Sequence, residues 1–277
     1  MKKQLTVITG GAGGMGKAIA KKIGPEYDLV LADRSEEALA KAVEELTTLG
    51  ITAHTCIVDI ADKESVAKLA EYAASLGDVK NVVHTAGVSP TNTKAEDVLK
   101  INGLGTMYMT ESFFPIMAGG GAMINFGSVA AYTLEPQEEW YDVFDECEDP
   151  DFYGKLLELV APFQGDDFAY AGTCYAIIKR FVIYYTQKNV ARFAEKDTRI
   201  LSVSPGSYLT PMHQLLIDLE PDTADCQLDL IPKGRWGHPY EMAELIGFLL
   251  SPGAGFVSGI DILADGGQTA NTFVDQL

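Results

Sequence analysis

A tyrosine and a lysine four positions apart, Tyr175 and Lys179, have the side chains and the spacing for proton transfer. On a helix they would lie on one face, one turn apart. An ammonium group beside a phenol favours the phenolate, so the lysine would lower the tyrosine pKa from its ordinary value of about 10. Tyr184 and Lys188 repeat the spacing. The spacing therefore predicts either an acid/base pair or an exposed helix face, and residues elsewhere must distinguish the two pairs.

Helix geometry separates the two tyrosines. Nine positions at about 100° each place Tyr184 on the opposite face of a helix from Tyr175. Only one of them can face the end of the sheet where Ser128 lies. Ser128 follows Gly121–Phe126, an apolar run that predicts a buried strand. A serine at the carboxyl end of such a strand points into the ligand crevice, where its hydroxyl could donate a hydrogen bond to a substrate oxygen.

A glycine-rich turn near the N-terminus predicts a phosphate-binding site. Leu5–Ile8 is a continuous apolar run typical of a strand buried on both faces, and Thr9–Gly16 follows it with five glycines before a helical pattern. Glycine permits a tight turn and the close approach of a ligand, and the helix N-terminus offers free N–H groups to an anion. The residues expected to contact a dinucleotide here are Gly10, Gly14, Met15 and Gly16.

The second predicted strand ends in a carboxylate, Asp33, 19 positions after Gly14. A carboxylate there accepts hydrogen bonds from the ribose hydroxyls of NAD and repels the 2′-phosphate of NADP. Arg34 follows directly, and its guanidinium could instead bind that phosphate. Because the glycine turn holds no basic residue to assist it, we expect NAD to be preferred over NADP.

The alternation of strand and helix patterns predicts the fold. Further strands are expected over residues 28–33, 52–58, 79–84, 121–126, 199–203 and 259–263. Repeated βα units imply one doubly wound α/β domain over residues 1–277, a Rossmann-type fold with about seven mainly parallel strands and helices on both faces. Ligands bind at the carboxyl ends of such strands. The residues expected there are Asp59, Ile60, Ala86 and Gly87.

Composition argues against several classes of function. A net charge of −18 disfavours nucleic acid and anionic membrane surfaces as partners. The four cysteines lie far apart without a metal-binding pattern, so we expect free thiols, no bound metal and a reducing compartment. The apolar run near the N-terminus is too short for a signal peptide, and no run approaches the ~20 apolar residues of a spanning helix. These features predict a soluble, cytoplasmic protein.

The ordered set of motifs resembles the short-chain dehydrogenase/reductase family, in its compact branch. The motifs are Thr9-Gly10-x-x-x-Gly14-x-Gly16, Asp59, Ala86-Gly87, Asn102, Ser128 and Tyr175-x-x-x-Lys179. One departure is that His84-Thr85 replaces the usual Asn-Asn before Ala-Gly, which leaves the strand-bridging role of the first asparagine open. Tyr175 precedes Pro205-Gly206 at the interval seen in the family, so the resemblance assigns the catalytic role to this tyrosine.

The resemblance implies a role for each motif residue. Tyr175 would be the general acid/base, Lys179 would lower its pKa and bind the nicotinamide ribose, and Ser128 would orient the substrate oxygen. Asn102 lies inside a predicted helix over residues 95–117, where asparagine is unfavourable, and its side chain would hold a water that links the lysine to solvent. The last helix and strand would form the contacts of a homodimer or homotetramer. The residues implied to hold the nicotinamide are Pro205, Gly206, Tyr208 and Thr210.

Two segments are expected to border the substrate. The family keeps its serine and tyrosine close in sequence, whereas Ser128 and Tyr175 are 47 positions apart. The excess, about residues 133–167, holds twelve acidic residues and one lysine, which is 11 of the 18 net negative charges, together with six aromatic residues. So many aromatics predict an ordered helical excursion, either a lid over the pocket or an arm on another subunit. A second segment, about residues 207–232, carries a narrow apolar stripe that is either core or, as the resemblance implies, a mobile cover over the substrate.

The function predicted from these features is NAD(H)-dependent oxidoreduction of a secondary alcohol and its ketone. Few charges point at the substrate, which favours a bulky, largely apolar molecule such as a hydroxysteroid or a bile acid. Two alternatives stay open: a non-catalytic NAD-binding sensor on the same fold, and an NADPH-dependent carbonyl reductase. The glycine spacing and the chain length disfavour a sugar epimerase.

Overall fold

The computed structural model describes residues 4–274 of the chain, and within them seven strands form one sheet. The strands are β1 (Leu5–Thr9), β2 (Asp28–Asp33), β3 (Ala53–Ile57), β4 (Val79–His84), β5 (Met117–Phe126), β6 (Arg199–Pro205) and β7 (Asp261–Ala264). Their order is β3-β2-β1-β4-β5-β6-β7, and all neighbouring pairs are parallel. The predicted doubly wound fold is confirmed, and the strand order reverses between β1 and β4, where such sheets bind ligands.

Helices cover both faces of this sheet. They are α1 (Gly14–Ile23), α2 (Glu36–Thr48), α3 (Lys63–Leu76), α4 (Ala95–Leu99), α5 (Gly105–Phe113), α6 (Glu138–Asp145), α7 (Phe152–Val160), α8 (Asp167–Lys188), α9 (Val190–Glu195), α10 (Pro211–Leu219), α11 (Pro221–Asp229), α12 (Pro239–Leu250) and α13 (Gln268–Val274). One buried cluster joins α1, α2 and α12 to one face, and a second joins α3 and α5 to the other. A third cluster joins α4 and α8 to α6 and α7.

The stretch before β5 differs from its predicted course. The helical stretch expected over residues 95–117 is α-helical only to Phe113 and continues as a 3-10 turn over Phe114–Ile116, and β5 begins four residues earlier than predicted. Pro115 explains the change at Phe113, because proline lacks the N–H that continues an α-helix. A Cβ atom at Gly121 would lie 1.8 Å from the carbonyl oxygen of Lys80, so β4 and β5 approach there more closely than a side chain permits. The other predicted strands agree with the structure to within two residues at each end.

Helices α6 and α7 belong to residues 133–167, the segment predicted to be an insertion and called the insertion below, and they pack on their own chain. Phe144 of α6 is fully buried, and its ring centroid lies 5.2 Å from that of Phe181 and 5.7 Å from that of Tyr184, both on α8. The Asp145 carboxylate accepts a hydrogen bond from the Tyr184 hydroxyl and pairs with the Lys188 ammonium at 3.2 Å. The duplicate tyrosine–lysine pair therefore anchors the insertion to α8.

Potential metal ligands do not cluster within residues 4–274, and the cysteine beside Tyr175 is unreactive. Within residues 4–274 no helix is long and apolar enough to cross a membrane, and no three His, Cys, Asp or Glu side chains group as metal ligands do. All four cysteines are free. Burial raises the pKa of the Cys174 thiol to about 11, so this neighbour of Tyr175 stays protonated and unreactive at neutral pH.

Candidate active site

Tyr175 and Lys179 lie on α8, at the end of the sheet where β5 terminates. The Asp166 carboxylate caps the start of this helix. Lys179 Nζ lies 5.6 Å from the centroid of the Tyr175 ring and donates to the carbonyl oxygen of Phe126 at 2.8 Å. Because Phe126 is the last residue of β5, this hydrogen bond ties the helix to the strand that presents Ser128.

Burial controls the proton affinity of both side chains. It lowers the pKa of the Lys179 ammonium to about 8, because a buried cation loses hydration. It raises the pKa of the Tyr175 phenol, and the hydrogen bond with Ser128 opposes that rise only in part. The prediction that the lysine lowers the tyrosine pKa is therefore not met in the protein alone. The ammonium is bonded to the Phe126 carbonyl, and the loss of hydration dominates at the phenol.

The turn after β5 places Ser128. Its Oγ accepts the N–H of Ala130 at 3.2 Å and so begins the 3-10 turn Val129–Tyr132. The residue is 9% exposed, and its hydroxyl contacts Tyr175. A hydroxyl that accepts from the backbone keeps its own proton to donate, to the tyrosine or to a substrate oxygen. The structure thus brings together two residues that the insertion separates in sequence.

Asn102 lies in a π-helical turn, Lys100–Leu104, between α4 and α5. Its Oδ1 accepts from the N–H of Val88 and its Nδ2 donates to the carbonyl oxygen of the same residue, each at 3.0 Å. A Cβ atom at Gly87 would lie 2.6 Å from Asn102 Oδ1 and 3.7 Å from Lys179 Nζ. The asparagine therefore holds the turn after β4 against the lysine, which differs from the water-holding role predicted for its side chain. The proton relay stays a prediction.

The turn after β1 has the geometry of a phosphate cradle. Gly10 has a φ of +63°, and a Cβ atom at Gly16 would lie 2.2 Å from the Gly10 carbonyl oxygen, so both positions require glycine. Helix α1 begins without a side-chain cap, which leaves the N–H groups of its first turn for an anion. Gly14 and Met15 belong to that turn. These residues fit the pyrophosphate of a nicotinamide dinucleotide.

The ends of β2 and β3 lie on the same side of the cradle. Asp33 Oδ2 accepts from the N–H of Ala12, between the glycines, at 3.2 Å. This carboxylate is therefore next to the turn, as a group that binds the adenosine ribose must be, while Arg34 is exposed. Asp59 is exposed, and its Oδ1 accepts a backbone N–H of its own turn at 2.9 Å; Ile60 beside it is buried.

His84 and Thr85 stand where the family has two asparagines. Hydrogen bonds of these two residues with Thr9 still connect β4 to β1. Thr9 Oγ1 lies 2.7 Å from His84 Nδ1 and accepts the N–H of Ala86 at 3.3 Å. Thr85 Oγ1 donates to the Thr9 carbonyl oxygen at 2.7 Å. Burial, helped by the charge of Lys179, lowers the pKa of His84 to about 3, so the imidazole is neutral.

The segment after β6 lies over the glycine turn. A Cβ atom at Gly14 would lie 2.9 Å from the Thr210 Cβ. Thr210 Oγ1 caps α10, which leaves its proton free for a cofactor amide. Burial, and to a smaller extent the negative charges of two nearby carboxylates, raises the pKa of Tyr208 to about 12. Pro205 ends β6, and Gly206 continues the chain toward this segment.

Three contributors to the site were missing from the predicted set. The Thr9 hydroxyl bridges two strands, Val88 supplies the backbone groups that hold Asn102, and Phe126 supplies the carbonyl that binds Lys179. A threonine at the end of a buried strand is a visible signal that could have found the first. The other two act through main-chain atoms, which every residue has, so no sequence signal exists for them.

Comparison with known proteins agrees with this arrangement. A family model described as short chain dehydrogenase matches residues 4–142, and one described as enoyl-(acyl carrier protein) reductase matches residues 164–269. The short-chain dehydrogenase/reductase bsc3 of Alternaria brassicicola is 33% identical over 273 residues, which cover 96% of each chain. The cyclohexanol dehydrogenase of Acinetobacter sp. (strain SE19) is 26% identical over 279 residues, covering 96% of this chain and 95% of its own.

Solved structures share the fold. A short chain dehydrogenase from Burkholderia cenocepacia J2315 in complex with NADP has a TM-score of 0.75 at 21% identity, over 96% of this chain and 98% of its own. The two matching family models leave out residues 143–163, which lie within the insertion. On the family models, the relatives and the fold together, the chain belongs to the short-chain dehydrogenase/reductase family and is an NAD(P)-dependent oxidoreductase.

Proposed function

We propose that the protein interconverts a secondary alcohol and its ketone with NAD(H), on a bulky and largely apolar substrate. The observation that carries this proposal is the meeting of Ser128, Tyr175 and Lys179 at the carboxyl end of the sheet, through the contacts of the lysine with β5 and of the serine with the tyrosine. A sensor that only bound the dinucleotide could use Lys179 to hold the nicotinamide ribose, but it would need no serine hydroxyl beside a tyrosine that can transfer a proton.

The bound nicotinamide supplies or accepts the hydride, and the side chains of the protein manage the proton and the oxygen. In reduction, Tyr175 donates its phenolic proton to the carbonyl oxygen, and in oxidation it takes the proton from the alcohol. Ser128 donates a hydrogen bond to the same oxygen. Lys179, with a pKa near 8, is largely an ammonium at neutral pH and stabilises the phenolate left by proton transfer.

The segment over residues 207–232 supports an apolar substrate. Helix α10 has no buried residue, and Met212 and Leu219 are 46% and 54% exposed. A helix whose apolar side chains lie outside the core can cover a bound molecule with them. The relative named as a cyclohexanol dehydrogenase supports a cyclic alcohol. Within that class our candidates are a hydroxysteroid and a bile acid.

The cofactor we propose is NAD, and the support is the carboxylate of Asp33 next to the glycine turn. Its negative charge favours the ribose hydroxyls and opposes a 2′-phosphate. Arg34 supports the alternative, because its exposed guanidinium could bind that phosphate. NADPH-dependent carbonyl reduction therefore remains the second candidate.

We further propose a homodimer or homotetramer in a reducing, cytoplasmic setting. Phe248, Phe256 and Ile260 are 52%, 105% and 49% exposed near the edge strand β7, and exposed apolar groups of this kind support subunit contacts. The four free cysteines support the reducing compartment.

The test measures the change in NADH absorbance when the protein is mixed with steroids, bile acids, cyclic alcohols, polyols or hydroxy acids. Each assay is repeated with NADPH in place of NADH. Tyr175→Phe should abolish turnover and leave NADH binding nearly unchanged, because only the proton is lost. Tyr184→Phe makes the same change in the duplicate pair and should retain turnover. Consumption of neither cofactor with any compound would favour the sensor, and full turnover by Tyr175→Phe would remove this tyrosine from the mechanism.

A further inference from the structure

A cavity of about 220 Å³ lies beside β7, apart from the catalytic groups. At ~30 Å³ for each water it has room for roughly seven, the size of one small ring with a polar group. Neither the proposed reaction nor the cofactor site uses its side chains. The walls include Tyr132 from the turn after β5, Tyr141 from α6, Arg180 and Gln187 from α8, and Ile260 and Asp261 at the start of β7.

Arg180 supplies the positive charge of this cavity. Its Nε is buried and has no hydrogen-bond partner, and its guanidinium carbon lies 5.1 Å from the centroid of the Tyr132 ring. The Nε of Arg192 is likewise buried without a partner, but the guanidinium of Arg192 pairs with Glu111; Arg235 pairs with Glu241, and Arg199 donates to two backbone carbonyls. Among residues 4–274 no carboxylate lies within ion-pair distance of Arg180, although the chain has 39 acidic residues against 21 basic ones. The guanidinium is therefore available to an external anion.

The carboxylate in the same wall, Asp261, is already satisfied by two hydroxyl groups. Its Oδ1 accepts from the Ser202 hydroxyl at 2.5 Å, and its Oδ2 accepts from the Tyr132 hydroxyl at 2.6 Å. It does not pair with Arg180, but its charge offsets that of the guanidinium at longer range. Asp261 repels an anion in the cavity, and it repels a dianion such as hydrogen phosphate about twice as strongly as a monoanion, so a ligand held by the guanidinium fits best with a single negative charge.

We propose that this cavity binds a small planar monocarboxylate. The guanidinium of Arg180 presents a fork of N–H donors that matches a carboxylate in two parallel hydrogen bonds. The rings of Tyr132 and Tyr141 and the side chain of Ile260 supply flat and apolar walls for the rest of the ligand. The amide of Gln187 is a further donor at the cavity.

Calorimetric titration of the full chain with benzoate tests this site. We expect one benzoate per chain, weaker binding at high salt, and a rise in Tm because the ligand binds only the folded state. Arg180→Met should weaken benzoate binding by about tenfold or more, since it removes a charge-assisted pair. Lys41→Met is the matched control: it removes an exposed cation from α2, on the opposite face of the sheet, and should leave benzoate binding unchanged. Inorganic phosphate should bind more weakly than benzoate.

Three outcomes would overturn the assignment. Equal benzoate affinity of the wild type and Arg180→Met would remove the guanidinium from the site. Displacement of benzoate by NADH would place it in the catalytic crevice instead. A change in subunit number in Arg180→Met, measured by light scattering, would assign the cavity to a contact between copies. If this variant fails to fold, Arg180→Lys and Tyr141→Ala allow the same comparison, and unchanged benzoate affinity in both would equally reject the site.

Discussion

Replacing Phe144 with alanine tests whether the insertion shares one core with α8, the helix that carries Tyr175 and Lys179. The ring is 0% exposed and lies 5.2 Å from Phe181 and 5.7 Å from Tyr184, both on α8. Removing a fully buried phenylalanine costs about 3–5 kcal/mol, from lost burial and from the cavity left behind. Since domains are stable by about 5–15 kcal/mol, Phe144→Ala should remove a large fraction of the free energy of unfolding. At about 2–4 °C per kcal/mol, Tm should fall by roughly 10 °C.

Urea and thermal unfolding, followed by circular dichroism, measure this loss. Phe163→Ala is the matched control, because it makes the same change in the insertion at a residue that is 45% exposed. Its free energy of unfolding should stay within about 0.5 kcal/mol of the wild type. We expect a single transition in each protein, because the Phe144 ring joins α6 to α8. Unchanged stability of Phe144→Ala, equal losses in the two variants, or a separate early transition would each refute the shared core.

Three further predictions concern the site itself. His84 has a pKa of about 3 in the folded protein and about 6.5 in the unfolded chain. Below pH 6.5 the imidazole therefore takes up a proton only in the unfolded chain, and the free energy of unfolding should fall by about 1.4 kcal/mol for each pH unit. Unfolding of wild type and His84→Asn between pH 6.5 and 5 should show a smaller slope for the variant, and equal slopes would contradict the buried neutral imidazole. Lys179 has a pKa of about 8, so kcat for ketone reduction should fall above that pH as the ammonium loses its proton. Lys179→Arg stays charged over this range, so its kcat should not show the same fall. An identical fall in the variant would assign the pH dependence to another group. Asp33→Asn should raise the ratio of kcat/KM for NADPH over NADH by about tenfold, or 1.4 kcal/mol, and an unchanged ratio would remove this carboxylate from cofactor selection.

Patterns local in sequence were sufficient to predict the framework. Continuous apolar runs predicted β1 and β2 to within a residue, because strands buried on both faces must be apolar throughout. The glycines after β1 predicted a close turn, and the structure shows that a side chain at Gly16 would collide with Gly10. The ordered motifs also named Ser128, Tyr175 and Lys179, which the fold brings together.

Other features depended on contacts between distant segments. Tyr175 and Tyr184 have the same local spacing to a lysine, yet one meets Ser128 and the other binds Asp145 of the insertion. The side chain of Asn102 holds the turn at Val88, which lies in the loop between β4 and α4. Neither partner follows from the residues nearby, since the packing of whole helices selects it.

The pair Tyr175 and Lys179 shows most clearly what was predictable and what was not. Residue types and their spacing were enough to place the two side chains on one face of a helix as a candidate acid/base pair, because helix periodicity is a local property. The same spacing at Tyr184 and Lys188 could be set aside only with the help of motifs elsewhere in the chain. The direction of their pKa shifts was decided by tertiary structure, because burial removes hydration from both groups and the Phe126 carbonyl binds the ammonium. Hydration and hydrogen-bond partners depend on every surrounding segment, and only the folded chain specifies them.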